Sequence, residues 1–245
     1  MLPKKTWSNA AALQLMLGLF IILLTGNIAG VLLEKLKIDL SGADGKILKA
    51  ILLTLFLQFF GVLWIHIFLR KENLSWREAF GFDSASPRSV ITLAVVFVLI
   101  FLPLAWGLQM VSVKTLKFFH REAESQIVIL QLQENDVSLC QQIFIGFMAL
   151  ISAPVLEELC FRGILYSSIK RSGYPKLAVC LSSILFGAVH LNEAAFLPLV
   201  LFAIVLIWLY ELTGNLFAPI LAHSCFNGIN FLLLLLAQHF PALNQ

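Results

Sequence analysis

The stretch APVLEELCFRG, residues 153–163, places Glu157, Glu158 and Arg162 inside a run of otherwise apolar residues. An ionised side chain at bilayer depth costs from about 3 kcal/mol on insertion scales to over 10 in simulations. Such groups persist where they pair with one another or line a wet cavity. The same half of the chain carries His190, His223 and Asn227, each also among apolar neighbours. A membrane-embedded functional site is the reading that explains these groups together.

The surrounding sequence supports a membrane setting. Of 245 residues, 60% are hydrophobic and only 13% charged, against roughly 45–50% and 25% in soluble domains. The mean hydropathy is +0.91. This composition predicts an all-α, polytopic transmembrane bundle lodged in the lipid bilayer. The net charge of +3 suits loops beside anionic headgroups. No basic stripe with interleaved aromatics appears, so a nucleic-acid partner is not expected. Cys140, Cys160, Cys180 and Cys225 form no CxxC pair and imply no disulfide framework.

A helix needs about 20 apolar residues to cross the hydrocarbon core. The pattern predicts about seven spans (six to eight), the first a retained helix near residues 10–33. Others are expected near 47–69, 89–111, 176–191, 194–212 and 216–236. A long helix near 137–171 is expected to start at an N-cap of Asn135-Asp136 and to end before Gly173 and Pro175. Residues 112–136 mix charge with apolar runs and read as an interfacial or re-entrant piece that gates the site. One membrane domain is expected, with residues 1–136 as N-terminal helices and 137–236 as the core that holds the site. The Lys and Arg distribution weakly favours a cytoplasmic N-terminus in a plasma (inner) membrane.

Adjacent helical residues point about 100° apart, so Glu157 and Glu158 cannot face one target equally. Glu158 and Arg162, four apart, can pair along one face. That leaves Glu157 to face a cavity as a general base. Phe186 lies four before His190 on the same face, and Gly187 admits a close neighbouring helix. His223 and Asn227, also four apart, can both donate to a developing oxyanion. Ser224 and Cys225 point well around the helix from His223, so no serine or cysteine nucleophile with a base is apparent.

The three pairs read as Glu157-Glu158-x-x-x-Arg162, Phe186-x-x-x-His190 and His223-x-x-x-Asn227, in order and within residues 140–232. In this they resemble the CPBP family of intramembrane proteases, also called the CAAX protease and bacteriocin-processing or Abi family. The stretch Tyr210-Glu211-Leu212-Thr213-Gly214-Asn215 is similar too. The helix before the last motif departs from the family in having no glycine between Phe202 and Trp208. The resemblance implies an endopeptidase whose cavity opens to the cytoplasmic leaflet. It implies that Glu157 with His190 activates water and that His223 and Asn227 bind the oxyanion, with Glu158, Arg162 and Phe186 in support. The implied substrate is a membrane-associated protein or peptide. No cofactor is favoured. Zinc is the alternative, with Glu157, His190 and His223 as the donors it accepts. Two other functions compete: a non-catalytic immunity or regulatory binding protein of the same family, and a proton-relay transporter. The latter predicts repeated halves, and no internal repeat is visible.

Overall fold

The computed structural model describes residues 7–35, 43–121 and 139–239, which form helices and turns with no strand among them. In chain order the helices are α1 (Asn9–Lys35), α2 (Ala43–Lys71), α3 (Trp76–Phe80) and α4 (Pro87–Phe118). They continue as α5 (Leu139–Arg171), α6 (Pro175–Val189), α7 (Glu193–Thr213) and α8 (Phe217–His239). Six of these are long and apolar enough to cross a membrane: α1, α2, α4, α5, α7 and α8. Phe59, Leu99, Ile100 and Trp208 are exposed on them, as lipid-facing side chains are. The chain is an integral membrane protein.

Local chemistry sets the ends. Ser86 caps α4, its hydroxyl accepting from the Ser89 N–H, and Pro87 supplies a first helical residue that needs no donor. Asn192 caps α7 by accepting from the Ala195 N–H at 2.8 Å. Gly214 ends α7 in the left-handed conformation, with its N–H on the Tyr210 carbonyl.

α5 is one long helix with two π-helical stretches, Met148–Ser152 and Leu159–Tyr166. In a π turn each carbonyl meets the N–H five residues on rather than four. The second stretch frees the Arg162 carbonyl to accept from the Ser167 hydroxyl at 2.8 Å.

Two faces of the bundle can be told apart. Trp7, just before α1, packs on Phe68 and Phe80 and donates to Ser168 at 3.1 Å, with Arg171 over its ring. The Leu216 N–H donates to the Phe80 carbonyl. The start of α1, the ends of α2, α5 and α7, and the α7–α8 turn therefore share one face. On the other, Arg121 beyond α4 pairs with Glu193 at the start of α7, at 2.7 Å.

α6 was expected as a full span but has 15 residues, about 22 Å at 1.5 Å per residue, short of the roughly 30 Å core. Starting from the face that holds Arg171, it ends at Val189, with His190 next in the chain. Residues 112–118, expected in a separate interfacial piece, continue α4 instead. Residues 119–121 form the turn that follows it, and residues 122–136 of the expected gate, with the Asn135-Asp136 cap, lie outside the described residues.

Candidate active site

Glu158 is fully buried on α5, and its Oε1 accepts two charge-assisted hydrogen bonds. One comes from Arg162 Nη1 at 2.7 Å, the other from His223 Nδ1 at 2.9 Å. The predicted pair with Arg162 is therefore present. The bond to His223, 65 residues away, was not foreseen, and nothing in the local sequence signals it. A carboxylate only accepts, so Nδ1 carries the proton and Nε2 points to the other side of the ring.

On that side stands Glu157. Its Oε2 lies 3.8 Å from His223 Nε2, too far for a direct bond and close enough for a shared third oxygen. Glu157 is 30% exposed, while its Oε2 is buried and has no hydrogen-bond partner. The two adjacent glutamates thus divide as the helical offset requires. Glu158 is consumed by structure, and Glu157 keeps an uncommitted oxygen toward an opening.

Phe186 is the packing centre of the group. Fully buried on α6, it lies under the Arg162 guanidinium at 4.3 Å and meets the edges of both imidazoles. A buried cation over a ring gains attraction from the ring quadrupole. Phe202, in the glycine-free part of α7, packs edge-on against His223 with centroids 5.3 Å apart. The absence of glycine there thus supplies an aromatic wall to the site. Gly187 does admit a neighbour closely: an added Cβ would lie 2.8 Å from Val200 and 3.1 Å from the Phe196 carbonyl of α7.

His190 is half-buried just beyond α6, and its Nδ1 donates to the Phe186 carbonyl at 2.7 Å. That bond fixes the proton on Nδ1 and leaves Nε2 as an acceptor. The ion-pair contacts of Glu157 and Glu158 run to His223 and Arg162, and not to His190. Asn227, one helical turn from His223, donates through Nδ2 to the Ala149 carbonyl of the first π stretch at 2.9 Å. One N–H of its amide is thereby spent and the second is left over.

Residues 139–229 match the model of the Rce1-like family, described as type II CAAX prenyl endopeptidase Rce1-like. Over this segment the chain is similar to the CPBP family of CAAX proteases. No curated protein and no solved structure matches the chain. The matched segment holds all seven residues singled out above, from Glu157 to Asn227. The match supports a CAAX-type intramembrane protease in general.

Among the described residues no three His, Cys, Asp or Glu side chains gather as a metal site. His223 Nδ1 and His190 Nδ1 are held by Glu158 and the Phe186 carbonyl, which leaves both Nε2 atoms as the nitrogens that a metal would take. No step below runs through a metal.

Proposed function

We propose that this chain is an intramembrane endopeptidase in which Glu157 is the general base. The observation that carries this reading is the uncommitted, buried oxygen of Glu157 facing an imidazole whose tautomer Glu158 fixes. A water held between the Glu157 carboxylate and an acceptor such as His190 Nε2 loses its proton to Glu157 as its oxygen attacks the scissile carbonyl. The carbonyl oxygen becomes an oxyanion. His223 donates to it from Nε2 while Nδ1 stays on Glu158. The remaining Asn227 N–H donates beside it. The proton on Glu157 then passes to the leaving amine as the carbon–nitrogen bond breaks.

Glu158, Arg162 and Phe186 hold the set in place. The core is residues 137–236, the helices of residues 1–136 enclose it, and no cofactor takes part. The substrate is a membrane-associated protein or peptide cut within the membrane near its surface. The protein resides in the plasma (inner) membrane with its N-terminal side cytoplasmic.

The test is cleavage of candidate membrane-anchored peptides by purified protein, read by mass spectrometry, with Glu157→Ala and His190→Ala at equal expression. Loss of fragments in both variants is expected, by about 10²-fold or more for a general base. Unchanged fragments, or full biological activity of both variants without cleavage, would establish a non-catalytic binding role instead.

A further inference from the structure

Among the residues of the run 153–163 that the reaction above does not use is Pro154. It stands two residues after the π stretch Met148–Ser152. The Ala153 N–H donates to the Met148 carbonyl, five residues back. In α register that N–H would have gone to Ala149. In π register the donor for Ala149 would be the nitrogen of residue 154, and proline has no N–H. With the Ala153 N–H drawn to Met148, the Ala149 carbonyl has no intrahelical donor left, because its partner in this π register would be Pro154. A carbonyl buried in an apolar bundle needs a partner, and the one it has is Asn227 Nδ2 at 2.9 Å.

We propose that Pro154 is a positioning residue that acts through Asn227. By denying Ala149 a backbone donor, it creates an acceptor on α5 that anchors one N–H of the Asn227 amide on α8. Anchoring by one N–H fixes the amide plane and turns the second N–H into a directed donor. Two elements far apart in sequence are thus held in register by one missing hydrogen. The inference rests on the oxyanion role given to Asn227 for its effect on rate, but the Pro154–Asn227 link itself does not.

The experiment compares wild type, Pro154→Ala, Asn227→Ala and the double variant in the cleavage assay. A fifth protein, Pro154→Ala with Val155→Pro, keeps a proline in the helix while restoring the N–H at 154, and stands in where the simple variant does not fold. The side-chain amide of Asn227 is followed in parallel in ¹⁵N-asparagine-labelled protein, assigned by its absence in Asn227→Ala. The proposal expects Pro154→Ala to lower kcat by about tenfold to 10²-fold with KM within about twofold, the scale of a small misplacement. It expects no further loss in the Asn227→Ala background and a shifted Asn227 amide signal.

A merely structural proline gives an additive loss in the double variant and an unmoved amide signal, and either result overturns the proposal. Wild-type kcat in Pro154→Ala does so too. Should Asn227→Ala itself keep full kcat, the oxyanion role falls. The amide signal then still decides whether Pro154 anchors Asn227.

Discussion

Glu157→Gln and Glu158→Gln differ by one position and are expected to fail in opposite ways. Glu158 Oε1 faces Arg162 Nη1 at 2.7 Å with both side chains buried. At an effective dielectric near 20 the attraction at that distance is about 6 kcal/mol before desolvation is counted. Measured losses on breaking a buried pair are about 3–5 kcal/mol, because the surviving charge is left without a partner. Glutamine keeps the shape of Glu158 but leaves Arg162 uncompensated and weakens the hold on His223. Glu158→Gln is therefore expected to lose about 3–5 kcal/mol of stability. The assay is reversible unfolding in mixed detergent, followed by tryptophan emission. Arg162→Met in the same protein removes the orphaned cation and should recover most of the loss. Glu157→Gln, which breaks no hydrogen bond and alters a partly exposed group, should stay within about 0.5 kcal/mol of wild type while losing cleavage. Equal stability of Glu158→Gln and wild type, or failure of Arg162→Met to rescue, would refute the buried-pair reasoning.

His223→Gln is expected to lower kcat by about 10²–10³-fold, the scale of one lost oxyanion donor; the cleavage assay checks it, and a loss seen only in KM would point to binding. Gly81→Ala should destabilise by more than about 2 kcal/mol, measured by the same unfolding transition. Gly81 has φ of +71° and its added Cβ would lie 1.9 Å from the Gly214 carbonyl oxygen, so the clash adds to the left-handed strain of about 1–2 kcal/mol. Activity is expected to survive a metal chelator and the purified protein to carry no stoichiometric zinc, as elemental analysis would show. In a cysteine-free background, Ser172→Cys should resist a membrane-impermeant thiol reagent applied to intact cells, whereas Phe119→Cys should react. The reverse pattern would invert the proposed orientation.

The helical bundle could be read from composition and span length because a lipid solvent leaves few alternatives. With no water to satisfy the backbone, each crossing segment must be a long apolar helix. The helix ends near Ser86, Asn192 and Gly214 carry their own caps. The short α6 was harder to read, since Leu191 prolongs the apolar run by eye but adopts φ of +51° and stands exposed. Within the site, the pairs on one helix, Glu158 with Arg162 above all, follow from spacing of four. The bond from Glu158 to His223 and the anchoring of Asn227 join separate helices. Spacing along a helix says which side chains share a face, whereas the register between two helices emerges only from their packing. Pro154 shows the same limit: its missing N–H would orphan Leu150 in a regular α-helix, and the π stretch moves the free acceptor to Ala149.

Burial of four ionisable groups in lipid would be ruinous if each were taken alone, and the arrangement shows why the total is tolerable. Arg162 is met by a carboxylate at Nη1 and an aromatic face beneath it, while its buried Nη2 has no partner. Glu158 is met by two donors on one oxygen. Each contact lies within one turn of α5 or across a neighbouring helix that small or aromatic side chains allow to come close. The buried carboxylate oxygens of these groups with no donor are Glu157 Oε2 and Glu158 Oε2. Of the two, only Glu157 has part of its side chain exposed. The 3.8 Å separation between Glu157 and His223 is the feature to watch in any variant. A change that draws these two groups into direct contact should abolish the reaction even with every motif residue in place.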